Sequence, residues 1–152
     1  DAINSCKDLP NANEMATYVI KGDPHWDGEE LWTTMGHLHK GGMWFRKRFY
    51  IPQMTTSRAP SPVNVDMRSN ESNMSSSPAQ GAPTYKDSYF FLPALGYYGY
   101  GAINEMGSTG YYWTSTRTPD DTNWAYRLMF DSSSIGLSTE GCEAGYYVMN
   151  MN

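Results

Sequence analysis

From Tyr85 to the C-terminus the chain is written in short segments that alternate bulky with small or polar side chains. The segments are "SYFFLPALGYY", "GYYWTST", "NWAYRLMF", "SSIGLS" and "GYYVMNM"; between the later ones stand "RTPDDT", "DSS" and "TEGCEAG". Successive side chains of a strand point to opposite faces, and Pro-Asp and Glu-Gly turn chemistry separates strands. The pattern confines this half to a small antiparallel meander. In Trp124 to Phe130, the set Trp124, Tyr126, Leu128 and Phe130 shares one face, the natural core face; Ala125, Arg127 and Met129 share the other. Trp113 and Ser115 oppose Tyr112, Thr114 and Thr116, and Tyr146, Val148 and Asn150 oppose Tyr147, Met149 and Met151. Each strand therefore offers one anchoring row and one row free to vary. Trp113, Tyr126, Leu128, Phe130 and Val148 are the expected scaffold.

Two helices are predicted ahead of the meander. Asn11 is a candidate N-cap, with Glu14 three residues on as its capping-box partner. Met15, Tyr18 and Val19 then share a face, and Gly22 stops the helix. "HWDGEELWTTMGHLHKGG" repeats the logic: Asp27 caps, Glu30 answers, Leu31 and Met35 lie one turn apart, and glycines end the segment. Met43 to Ile51, aromatic with Arg and Lys interleaved, reads as a strand. The expected fold class is α+β, two N-terminal helices packed on a small, mostly antiparallel sheet.

Between these parts, from about Gln53 to Asp87, the composition changes. "TTSRAPSPVNVDMRSNESNMSSSPAQGAP" holds four prolines, many serines and no aromatic residue. It reads as a long surface loop or insertion over about 54–84, unable to bury much and dispensable for folding. Neither flank looks self-sufficient, so 1–152 is expected to be a single domain, long enough to bury roughly 70% of its unfolded surface.

Charged residues make up 18% of the chain and the formal net charge is −5. That balance argues against a nucleic-acid partner, whose binding rests on clustered Lys and Arg. The run Arg46-Lys47-Arg48 reads as a solvated strand edge. No apolar run approaches the roughly 20 residues that span a membrane, so direct insertion is not expected. The chain opens at Asp1 without an initiator Met or a signal peptide, as a processed protein or a fragment of a larger one would. The Ser, Thr, Asn, Gly and Tyr content suits a secreted or surface protein. Cys6 and Cys142 sit near opposite ends with no metal-site spacing, and the sequence leaves a disulfide between them open. His25, His37 and His39 include a His-x-His pair but lack the carboxylate-plus-cysteine set of a zinc site. Asp120, Asp121 and Asp131 read as turn residues rather than a calcium site. No nucleophile elbow and no phosphate-cradling glycine loop is present. No catalytic residue, metal or cofactor is expected.

The frame Leu92-Pro93, Gly96-Tyr97, Gly107, Gly110, Tyr112-Trp113-Thr114-Ser115, Ala125-Tyr126, Leu128, Phe130, Ser132-Ser133, Gly145 and Val148 resembles the C-terminal half of a C-type-lectin-like fold. The subtype is the one shared with formylglycine-generating enzymes. The closest likeness is to variable proteins of diversity-generating retroelements, and it extends to the major-paralogous domain of fimbrillin-like bacterial surface proteins. "SCKDLPNANEM" resembles that family's lead-in to its first helix, and "PHWDGEELWTTMGHLHKGGMWFRK" resembles segments of fimbrillin-type proteins. The loop over about 54–84 lies outside the likeness. The chain departs from the family at Met149 and Asn150, where Arg and Cys are frequent, and at Cys142, where a basic residue is expected, so no family disulfide is carried over.

The resemblance implies a non-enzymatic ligand-binding module whose C-terminal region, about 110–152, is rewritten by adenine-directed mutagenesis. Tyr and Trp supply contact area at low entropic cost, and Ser, Asn and Asp supply adaptable hydrogen bonds. On this reading Tyr112, Thr114, Arg117, Asn123, Arg127, Met129, Asp131, Ser133 and Ser134 form the variable ligand-binding set. The ligand is macromolecular, with the flat aromatic-polar mixture favouring protein over glycan. The implied setting is extracellular, on a bacterial or phage surface protein or a pilus tip, with the rest of a pilin or surface protein as a further partner. The alternative is an undiversified adhesin or structural pilus domain. The cysteine-oxidising activity of the family's enzymes needs a reactive cysteine pair or a metal, and Cys142 has no neighbouring cysteine.

Overall fold

A computed structural model describes residues 9–120, 123–142, 145 and 147–148. Helix α1, Ala12–Lys21, forms where its capping residues predict it. The Asn11 side chain accepts from the Glu14 N–H at 2.9 Å, and the Glu14 carboxylate accepts from the Asn11 N–H at 3.3 Å. This reciprocal pair satisfies donors that the first turn otherwise leaves open. Met15, Ala16, Tyr18 and Val19 are buried, and the Gly22 N–H closes the C-terminus on the Tyr18 carbonyl.

The second predicted helix is instead a β-hairpin. β1 (His25–Thr34) and β2 (His37–Arg46) pair antiparallel around Met35-Gly36, whose φ values are 51° and 77°. Two central residues at positive φ make the kind of two-residue turn whose twist matches paired strands. The Asp27–Glu30 signal is real local chemistry put to another use. The Asp27 carboxylate accepts from the N–H groups of Glu29 (3.0 Å) and Glu30 (3.2 Å), but it does so where the ladder slips between Asp27 and Leu31. Its other oxygen accepts from Trp44 Nε1 at 3.1 Å. Trp26, Trp32, Thr33 and Thr34 also favour a pleated surface over a helix. The strand expected to reach Ile51 ends at Arg46, and Arg48–Tyr50 is a 3-10 turn.

The expected two-helix α+β arrangement is therefore corrected to a mostly β architecture: among the described residues there is one α-helix, with two 3-10 turns and three sheets. The remaining strands are β3 (Met74–Ser76), β4 (Ala79–Gln80), β5 (Tyr89–Pro93), β6 (Tyr97–Gly99), β7 (Ala102–Asn104), β8 (Gly110–Arg117), β9 (Trp124–Phe130), β10 (Ile135–Gly141) and β11 (Tyr147–Val148). One sheet runs β4-β1-β2-β5, a second β11-β8-β9-β10-β3, and β6-β7 is a separate hairpin. Pairing is antiparallel except for β1 with β4 and β8 with β11.

The core lies between α1 and the two larger sheets. Phe90 stacks on Phe45 (5.5 Å between centroids) and meets the Tyr18 ring edge-on (5.6 Å). Phe130 stacks on Tyr112 (6.1 Å) and reaches Trp26 of the other sheet (6.4 Å). Two hydrogen bonds pin α1 at its ends: the Ala12 N–H donates to the Thr116 side-chain Oγ1, and the Arg46 N–H donates to the Gly22 carbonyl.

The Ser/Pro segment departs most from expectation. It supplies β3 and β4, one to each large sheet, and it buries Ala59 (1% exposed) and Met67 (0%) in the core. Asn13 of α1, itself 0% exposed, holds it. Its Nδ2 donates to the Thr56 carbonyl (3.0 Å) and to the Asp66 carboxylate (2.8 Å), and its Oδ1 accepts from the Met67 N–H (2.8 Å). The segment has no aromatic residue because aliphatic and methionine side chains, with one buried amide, perform its anchoring. It contributes a strand to each large sheet and two buried side chains to the core.

Candidate functional site

The second sheet presents two faces of unlike character. Its inner row, Tyr126, Leu128 and Phe130 of β9 with Ile135 and Leu137 of β10, is 0–1% exposed. The register sets Tyr111 opposite Met129 and Trp113 opposite Arg127 on the other face, with Gly136 and Ser138 of β10 beside Met129 and Arg127. Gly136 in turn pairs with Ser75 of β3. This outer face is the candidate binding surface.

Its centre is a chain of contacts. The Arg127 guanidinium lies 5.0 Å from the Tyr111 ring centroid and 3.9 Å from the Glu140 carboxylate. The Tyr111 hydroxyl donates to the Glu105 carboxylate at 2.9 Å, and Tyr97 meets the Tyr111 ring edge-on at 5.4 Å. A guanidinium over an aromatic face is attracted by the ring quadrupole, so Tyr111 and Glu140 orient Arg127 within the sheet surface. Beside it a shallow cavity of about 360 Å³ is lined by Met129, Ser134, Gly136 and Ser138 on one side and by Asn73 and Ser75 on the other. Its polar groups are hydroxyls and an amide, and Met129 supplies a soft apolar floor, a side chain that adapts its shape to what it meets.

The residues expected to vary fall into three groups. Arg127, Met129 and Ser134 belong to this face. Arg117 and Asn123 are exposed, but at the far end of the β8–β9 pair; Asn123 to Asp131 spans about 26 Å at the usual strand rise, so the set is a stripe and not one patch. Tyr112 and Thr114, expected on the outward row, are each 2% exposed and buried. The Tyr112 hydroxyl donates to the Pro93 carbonyl, and Thr114 Oγ1 donates to the Tyr126 carbonyl at 3.0 Å. Trp113, expected inward, lies across from Arg127 on the outer face and is 8% exposed. Both rows of β8 carry large aromatics, so alternation alone could not tell which row faces the core. Trp124 is likewise outside the core at 42% exposed, because its partner Gly141 ends the β10 ladder there.

Asp131 and Ser133 belong to the β9–β10 turn. One Asp131 oxygen accepts from the N–H groups of Ser133 and Ser134 (each 2.8 Å) and from both hydroxyls (3.1 and 3.3 Å). Burial pushes this carboxyl up, but the four donors outweigh it and hold it below the usual carboxylate range. The turn thus consumes the Asp131 side chain. Val148 pairs with Trp113 through its backbone, and its side chain lies outside the described residues, as do Cys6, Asp121, Tyr146, Met149 and Asn150. Cys142 is exposed. His25 contacts Asp23 (3.0 Å) and the Gly81 carbonyl (3.1 Å), whereas His39 stacks on Trp32 (4.8 Å). No cluster of three metal-ligating side chains occurs among the described residues.

Asn73, Ser75, Glu105, Tyr111, Ser138 and Glu140 are members of this face that sequence reasoning did not single out, and Tyr97 entered it only as part of the family frame. Only Tyr111 carried a local signal, its alternation with Tyr112; the others arrive through strand pairing between distant segments. No helix among the described residues is long and apolar enough to cross a membrane. Comparison of the chain with protein-family models, curated proteins and solved structures finds no match.

Proposed function

We propose that this chain is a non-enzymatic binding module whose outer sheet face meets a protein ligand. The observation that carries the reading is the split within β9. Tyr126, Leu128 and Phe130 are wholly buried, whereas Arg127 and Met129, between them in sequence, face an accessible polar-aromatic surface. Such a strand can change one row without emptying the core. Aromatic area with serine and asparagine hydrogen-bonding groups is the mixture that adaptable paratopes use. The fuller reading is a variable protein of a diversity-generating retroelement, displayed outside a bacterial cell or on a phage or pilus tip, with exchangeable side chains at Arg117, Asn123, Arg127, Met129, Ser133 and Ser134.

A specific observation favours a second reading, an undiversified adhesin or pilus domain. Arg127 is oriented by Tyr111 and Glu140, and such a network suits a fixed ligand better than a rewritable one. A display library randomised at Arg117, Asn123, Arg127 and Met129, selected against a panel of folded proteins and of glycans, separates the two. Retained melting temperatures with new protein specificities support the variable reading. Outward substitutions that unfold the domain as readily as Leu128→Ala overturn it and leave the static one. In the genome, a near-identical template copy differing mainly at adenines beside a reverse transcriptase is the corresponding mark.

A further inference from the structure

A groove distinct from the outer face runs along the edge of β3. Its volume is about 860 Å³, within the range of ligand-binding clefts, and it separates residues 72–77 from Val19, Ile20, Pro24 and Val63. β3 is the last strand of its sheet, paired with β10 on one side only. Beyond that ladder, no backbone N–H or C=O of residues 73–77 takes part in a hydrogen bond among the described residues. The groove therefore has one wall of open strand edge and one wall of aliphatic side chains, several of which pack against the core.

Natural sheets guard such edges with lysine, proline within the strand, bulges or a covering element. Met74, Ser75 and Ser76 carry none of these, and the α1 side of the groove stands off instead of covering them. We propose that this edge receives an extended peptide segment of a partner protein, which adds a strand beside β3. The occupant's backbone pairs with residues 73–77, and alternate side chains enter the aliphatic wall, as strand addition requires. Charge selects the side chains. The lone ionisable group in the lining is Asp23, and it already accepts from the Tyr89 hydroxyl (2.6 Å) and faces His25 (3.0 Å) and Arg46 (3.9 Å). A charged residue buried here would lose hydration without gaining a partner. The segment is thus uncharged, with valine or isoleucine alternating with threonine or serine. Six residues, about 20 Å at the strand rise, span 72–77 on the strand side of the groove, of which 73–77 have open backbone groups. The groove shares Asn73, Met74 and Ser75 with the outer cavity, but the proposal holds whether or not the outer face is variable.

The test titrates the full chain with capped hexapeptides alternating valine or isoleucine with threonine or serine, followed by amide and methyl NMR. The expected result is shifts at 72–77 and at the methyls of Val19, Ile20 and Val63, with slowed amide exchange across β3. The same peptides N-methylated at alternate residues should bind at least tenfold more weakly, because methylation removes one edge of donors and leaves the side chains in place. Val63→Asp should weaken binding at least tenfold and Val63→Thr less, with near-ultraviolet circular dichroism reporting the fold. Equal binding of the N-methylated peptides, shifts mapping elsewhere, or no binding at millimolar peptide overturns the proposal. So does a β3-to-β3 dimer of the free chain in sedimentation, which would assign the edge to a second copy.

Discussion

Asn13→Ala removes three hydrogen bonds made by a fully buried amide, one of them to a buried partner. The Met67 N–H, 2.8 Å from Asn13 Oδ1, is left buried without an acceptor. The Thr56 carbonyl retains the Asn11 amide at 2.9 Å, and the Asp66 carboxylate retains Arg68, so neither is orphaned. One unsatisfied buried donor costs about 1–3 kcal/mol, and each lost net hydrogen bond adds about 0.5–1.5 kcal/mol. Since the two groups that keep partners lose little, the expected total is about 2–4 kcal/mol. That is a large share of the 5–15 kcal/mol by which domains are commonly stable. Urea unfolding followed by tryptophan fluorescence measures it, and limited proteolysis locates it. Cuts should appear first within 54–84, because the link between that segment and α1 is what has gone. A loss under about 0.5 kcal/mol, the size of an ordinary surface change, with no faster cutting in the segment, would refute the claim that Asn13 anchors it.

The other predictions concern the second sheet. Leu128→Ala and Phe130→Ala should each cost roughly 2–5 kcal/mol as emptied core sites, whereas Met129→Ala should cost well under 1 kcal/mol; comparable melting temperatures for inward and outward variants would dissolve the two-row description. Gly136→Ala should push β3 off the sheet, since a Cβ there would sit 2.2 Å from the Met74 carbonyl oxygen. Thermal melting and amide exchange at 74–76 read the effect, and unchanged protection there would show that β3 is not packed so closely. The Asp131 carboxyl is held below its ordinary value in the folded chain, so its stabilisation is present above about pH 4, the unfolded carboxyl's range, and fades as pH falls through the lower folded value. Wild type should exceed Asp131→Asn in stability at pH 7 and lose that margin as pH falls through the lowered folded value; a margin independent of pH would mean the turn does not depend on the charge.

Where local chemistry decides the outcome, the sequence was legible. Asn11 and Glu14 cap a helix because both partners lie within one turn of backbone. The strands β5, β8, β9 and β10 follow from alternation and turn residues adjacent in the chain. Asp27 and Glu30 show the limit of such signals. A carboxylate that accepts from the N–H groups two and three residues on caps a helix or stabilises a bulge with the same geometry, and the Trp44 indole that settles the matter lies 17 positions away in sequence. Met35-Gly36, inside the stretch read as helix, forms the turn that closes the hairpin. Similarly, nothing within "GYYWTST" distinguishes Tyr112 from Trp113 as the inward residue. The choice is made by Phe130 and Pro93, which Tyr112 stacks on and donates to.

The Ser/Pro segment carries the same lesson into the binding surfaces. Low hydrophobicity along a stretch predicts that it cannot fold alone, and that much is consistent with how few of its residues are buried. It does not predict that the stretch is loose in context, because a buried donor or acceptor on a neighbouring element can hold irregular backbone as firmly as a ladder does. Here Asn13 holds one end, and the Tyr126 hydroxyl accepts from the Ser72 N–H (3.0 Å) further along. Between these points the chain delivers β3 to the edge of the second sheet, where Asn73 and Ser75 border the outer cavity and residues 72–77 border the groove. Loosening the segment at Asn13 should therefore disturb both surfaces together, although neither contains Asn13. Replacing Arg127 should disturb the outer face first, because the guanidinium lies over Tyr111 and near Glu140 there, and Asn13 contacts neither.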